Sequence, residues 1–147
     1  MKIPHDALVV VADGGRLALF RNRGAPFAPQ LELVEQEAIE FPRTSELAAD
    51  RPGRAFESSG TRRSAYEETD LHDRAEEAFC RGVAERIVRL LPEAKAGVLL
   101  VAAPRALGVI RAALPAEARA TLLGEVAKDY AGRNAAELGE LLAKLAD

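Results

Sequence analysis

The sequence predicts a single α/β domain built on a mixed five-stranded sheet with helices on both faces. Three observations carry that expectation. The chain has 147 residues, the size of one domain with its own core. Its first third reads as strands joined by tight turns. The remainder alternates stretches of helical spacing with a second short, wholly apolar run, giving the order β-β-β-α-β-α-α-β-α across residues 1–147, with no internal repeat and no second domain.

The elements follow in order. Ala7-Leu8-Val9-Val10-Val11-Ala12 is a continuous apolar run, as expected of a strand covered on both faces. Asp13-Gly14-Gly15 is a turn signal in which glycine can supply positive φ, so Arg16 to Arg21 is expected to pair back as a hairpin. Asn22 to Pro29 holds Gly24, Pro26 and Pro29 and reads as a second turn. Leu31 to Glu37 reads as a third strand reaching toward Phe41. Asp70 is a candidate N-cap, and Leu71, Ala75, Ala78, Phe79, Val83, Ile87, Leu90 and Leu91 keep helical spacing up to Pro92. Gly97 to Ala103 is a second buried strand. Pro104 to Leu114 and Pro115 to Leu123 read as helices, and Glu125 to Tyr130 as a last strand. Asn134, with Glu137 at the capping-box position, opens a final helix with an apolar stripe of Leu138, Leu141, Leu142 and Leu145. Three hairpin-joined strands followed by α-β-α-α-β-α is the order of a ribonuclease-H-like sheet.

Composition excludes several classes. A net charge of −3 with 29% charged and 48% hydrophobic residues describes an ordinary folded protein, not a basic nucleic-acid coat, an acidic tail or a disordered chain. No apolar run approaches a membrane span. The first residues, Met1-Lys2-Ile3-Pro4-His5-Asp6, lack an apolar export stretch, so a cytoplasmic location is expected. The single cysteine, Cys80, cannot form an internal disulfide and fits a reducing compartment.

Residues 42–69 stand apart. They show no sustained period and hold Pro42, Pro52, Gly53, Ser58, Ser59 and Gly60, so they read as a long functional or mobile loop. The basic residues of the chain divide into 16 Arg and 4 Lys. Between residues 51 and 63, Arg51, Arg54, Arg62 and Arg63 face only Glu57, a local charge of +3. Phe56 and Tyr66 are interleaved. Guanidinium groups neutralise phosphates and aromatic rings stack on bases, so these six residues are the candidate RNA contacts.

Catalytic signals are sparse. There is no G-x-S-x-G elbow, Walker loop or G-x-G-x-x-G fingerprint. The first strand lacks the mid-strand carboxylate that a two-metal nuclease of this fold would use, although Asp6 and Asp13 flank it. His72 lies beside Asp70 and Asp73, short of a zinc ligand set. No catalytic residue, metal or cofactor is assigned. The alternative reading is a metal-dependent hydrolase or nuclease using Asp13, Asp70 and Asp73.

Several stretches resemble one family. Val10-Val11-Ala12-Asp13-Gly14-Gly15-Arg16-Leu17-Ala18-Leu19-Phe20 resembles the opening signature of the bacterial host-attachment proteins. Asp50 to Gly60 resembles their central loop, Val101 to Gly108 their second strand-to-helix junction, and Glu125 to Tyr130 their late strand. That family in turn resembles the middle domain of archaeal and eukaryotic peptide-chain release factors, which carries a Gly-Gly-Gln loop before a long helix. The matching stretch here is Ser59 to Ala65, with one glycine and no glutamine, so peptidyl-tRNA hydrolysis is not expected. The resemblance implies a stand-alone module, without a codon-reading domain, that contacts RNA or the ribosome and bears only indirectly on host attachment.

Overall fold

The computed structural model describes residues 1–39 and 58–146, with side chains from residue 70 onward in the second stretch. The elements are β1 (Leu8–Ala12), β2 (Arg16–Asn22), β3 (Leu31–Ala38), α1 (Ser58–Leu90), β4 (Val98–Ala102), α2 (Pro104–Ala113), α3 (Ala116–Ala120), β5 (Gly124–Ala127) and α4 (Ala135–Lys144). They build one five-stranded sheet in the order β3-β2-β1-β4-β5. β1 pairs antiparallel with β2 and parallel with β4, β2 pairs antiparallel with β3, and β4 pairs parallel with β5. The expected mixed α/β architecture is therefore observed.

The two central strands explain the layering. All five residues of β1 and all five of β4 are buried. Alternation sends Leu8, Val10 and Ala12 to one face and Val9 and Val11 to the other. The first set packs with Leu100, Cys80, Val83, Ile87 and Ile110, under α1 and α2. The second packs with Ile3, Phe20, Leu99, Leu138 and Leu142, under α4 and the N-terminal segment. Apolar runs without alternation are what a strand between two helical layers needs. Asn134 caps α4 as expected, its Oδ1 accepting the Glu137 N–H at 2.8 Å.

Four expectations are corrected. The long helix starts at Ser58, not at Asp70, so residues 58–69 of the expected loop are helical and Asp70 caps nothing. Leu71, expected on the apolar stripe, is 53% exposed, because the helix meets the body further along. The last strand ends at Ala127 rather than Tyr130. Neither Gly14 nor Gly15 has positive φ. Gly14 is there for space: a Cβ would lie 3.0 Å from Glu76 Cγ, so α1 sits directly on this turn.

Candidate functional site

β1 and β4 lie side by side and parallel, and their continuations leave in opposite directions, β1 into the β2 hairpin and β4 through α2 toward β5. Such a switch point leaves a crevice beyond the carboxyl ends of the strands. The crevice here is a pocket of about 190 Å³ lined by Gly14, Asp73, Glu76, Glu77, Cys80, Ala103, Arg105, Ala106 and Val109. An adjoining open groove of about 380 Å³ is lined by Asp13, Gly14, Gly15, Arg16, Ile39 and Glu76.

Each wall has a local cause. Asp13 ends β1 and organises its turn. Its Oδ1 accepts the N–H groups of Gly15 at 2.9 Å and Arg16 at 2.7 Å, and its Oδ2 accepts Arg16 Nε at 3.0 Å and Nη2 at 2.8 Å. Burial pushes the Asp13 carboxyl up, but the Gly15 and Arg16 donors outweigh it and hold it below the usual carboxylate range. α1 contributes Asp73, Glu76, Glu77 and Cys80, the i, i+3, i+4, i+7 spacing of one helix face. Pro104 opens α2 directly after β4, with no side chain capping its first turn. Arg105 reaches back to Asp73 at 3.2 Å and ties the two helices. Cys80 is 2% exposed at the floor. Burial first, then the negative charge of Glu76 and Asp13, pushes its thiol pKa up, so it stays protonated and unreactive.

The result is a small pocket with an apolar floor and an acidic rim. Among the described residues, no three His, Cys, Asp or Glu side chains are grouped to hold a metal ion. Four hydrogen bonds fill the acceptor sites of Asp13, so ligating a metal there would require displacing Arg16. Asp73 is held by Arg105, and Asp70 is exposed one turn nearer the start of α1. Asp13 and Asp73 thus border the same crevice, each already paired.

Of the candidate RNA contacts, Arg51, Arg54 and Phe56 lie outside the described residues. Arg62, Arg63 and Tyr66 are placed on the opening turns of α1. The sequence reading missed Glu76, Glu77 and Arg105 as neighbours of Asp73. The acidic spacing at 73, 76 and 77 was the available signal.

Fold and crevice together define a small single-sheet α/β domain, its central strands β1 and β4 sealed on both faces and its edge strand β3 largely exposed. The family described as "protein required for attachment to host cells" matches residues 8–142, and the chain belongs to that family. No curated protein matches it closely enough to serve as a relative. Among the described residues, no helix is long and apolar enough to cross a membrane.

Proposed function

We propose that the chain is a non-catalytic cytoplasmic module that contacts RNA or the ribosome through Arg51, Arg54, Arg62 and Arg63, with Phe56 and Tyr66 as stacking groups, and that it bears on attachment to host cells indirectly. The supporting observation is the length of α1. Its 33 residues span roughly 50 Å, whereas the longest strand, eight residues of β3, spans roughly 27 Å. The core contacts of the helix are made by Cys80, Val83, Ala84 and Ile87, near its carboxyl end. Positions 62 and 63 therefore sit on a helix end several turns from the part that the core requires. The resemblance to release-factor middle domains, which also have a long helix behind their functional loop, agrees with this reading. The missing Gly-Gly-Gln removes the hydrolytic step and leaves binding.

Filter binding to single-stranded RNA and cosedimentation with ribosomes, both over a range of salt, test the proposal. Binding through arginine–phosphate contacts weakens as salt rises, and the Arg62→Ala, Arg63→Ala double variant should flatten the log–log slope by about 1 to 2. Wild-type affinity in the double variant refutes the reading. Cell fractionation tests the location: protein found on the cell surface would overturn it.

A further inference from the structure

A larger cavity opens at the other end of the sheet, on the face that carries α1, and the proposed function makes no use of it. Leu8 pairs with both Arg21 and Val98, so this is the amino-terminal end of β1 and β4. The cavity holds about 640 Å³, a volume typical of small-molecule sites. Its apolar walls are Leu8, Leu19, Val34 and Leu90, with Ala94 and Ala96 from the turn that follows α1.

The charged groups around it are Arg21, Arg86, Lys95 and His5 against Asp6, Glu35 and Glu93. Most are already matched. Arg86 of α1 pairs with Glu35 of β3. Asp6 lies 3.5 Å from Arg23 and 3.6 Å from His5. Lys95 and Glu93 are both exposed on the turn between α1 and β4, and their charges cancel. Arg21 is left over.

The strand explains why Arg21 is there. Alternation along β2 puts it on the same face as Leu17 and Leu19, which pack in the core under α1. Its cross-strand neighbour Glu32 is engaged by Arg23 at 3.5 Å. Among the described residues, Arg21, Arg74 and Arg89 are the arginines without a carboxylate in ion-pair reach. Arg74 and Arg89 are exposed on α1, whereas Arg21 is half-buried beside the cavity. A guanidinium that has given up part of its hydration without gaining an acceptor is a cost to the fold, and an anion in the cavity removes it.

We propose that this cavity binds a small organic carboxylate, its head group gripped by Arg21 and its apolar body laid against Leu8, Leu19 and Leu90. The planar guanidinium fork matches a carboxylate through two parallel N–H···O bonds. One unmatched positive charge answers one negative charge. A phosphate dianion brings a second negative charge for which no unmatched cation remains, beside Asp6 and Glu93. The volume calls for a body well beyond acetate in size. The site is separate from the arginines and aromatic residues between positions 51 and 66, so it stands or falls independently of RNA contact.

Amide chemical shifts of isotope-labelled protein, titrated with 4-phenylbutyrate, indole-3-acetate and octanoate, test the proposal. At least one should give saturable shifts at residues 8, 19–21 and 93–96. Acetate, inorganic phosphate and 4-phenylbutanol, which lack the body or the carboxylate, should bind at least about tenfold more weakly. Arg21→Met keeps the apolar stem and removes the charge. It should weaken carboxylate binding at least about tenfold while leaving the urea midpoint of the ligand-free protein unchanged or higher. An arginine that serves only to cover the core with its stem predicts no change in binding. No saturable shifts with any of the three acids, phosphate or the alcohol binding as well as the best acid, or wild-type affinity in Arg21→Met overturns the proposal. Should Arg21→Met fail to fold, Arg21→Lys decides, because it keeps the charge and loses the fork: weaker carboxylate binding supports the proposal and wild-type affinity overturns it.

Discussion

Asn22 is the one buried polar residue among those described, at 0% exposure, and its truncation gives a prediction whose size can be worked out. Its amide nitrogen donates to Ile3 O at 2.8 Å, with longer contacts of 3.4 Å to Pro4 O and Ala25 O. Its oxygen accepts from Gly24 and Gln30 at 2.8 and 3.0 Å. One side chain thus fastens the N-terminal segment and the β2–β3 loop to the end of β2. Asn22→Ala removes three well-formed bonds, at about 1 kcal/mol each, so about 3 kcal/mol in all. At roughly 2–4 °C per kcal/mol for a domain near this size, the melting temperature should fall by about 10 °C. Asn22→Asp keeps the acceptor but turns an oxygen toward the carbonyls of Ile3 and Pro4, so its loss should be at least as large. Urea unfolding measures both, with the midpoint falling and the m-value unchanged. A loss below about 1 kcal/mol for Asn22→Ala would show that water replaces the amide and would refute the bracing argument.

Three further outcomes follow. Gly24→Ala, whose Cβ would meet the backbone atoms Ala28 O and Gln30 N at 2.5 and 2.6 Å, should destabilise by at least about 2 kcal/mol, while Gly14→Ala, which meets only the Glu76 side chain at 3.0 Å, should cost about 1 kcal/mol or less by the same unfolding assay. Glu125 accepts from Arg119 and Arg111 at 2.8 and 2.7 Å, and the Arg119 bond foremost, then Arg111, lowers its pKa against the effect of burial. Its contribution is therefore complete above the ordinary carboxylate range and lost as pH falls through the lowered value. Glu125→Gln should reduce stability at neutral pH by under about 1 kcal/mol, and the gap to wild type should close in acid. Cys80 should react with a thiol reagent far more slowly in native than in unfolded protein, since burial and the nearby Glu76 and Asp13 keep it a thiol; equal rates would contradict its place at the crevice floor.

The sheet was legible because its strands report their surroundings. β1 and β4 are short apolar runs, and only a strand covered on both faces can be apolar at every position. The start of α1 was not legible, since Ser58 to Thr69 offers no apolar residue at helical spacing except Ala65 and Tyr66, and a periodicity argument needs a repeated apolar position to detect a helix. Arg62, Ala65, Glu67 and Glu68 are nonetheless good helix formers. In the sequence Gly14-Gly15 carries a conformational signal, whereas in the fold Gly14 serves a packing need that depends on Glu76, more than 60 residues away. Asp13 was recognised as a turn residue, but its bidentate grip on Arg16 is set by a hairpin whose geometry the sequence does not spell out.

The burial of β1 also constrains where any function of this domain can reside. Leu8 to Ala12 contact one core or the other, each at 4% exposure or less. A carboxylate substituted there would be stripped of water without a partner, a cost of several kcal/mol. Chemistry or recognition is thereby kept off the middle of β1 itself. Along α1 both signs are mixed, with Arg62 and Arg63 near its start and Asp73, Glu76 and Glu77 at the crevice. Because ionic attraction decays within about 8 Å at physiological salt, a polyanion approaching the acidic crevice is repelled locally even if it is drawn to the arginines several helical turns away.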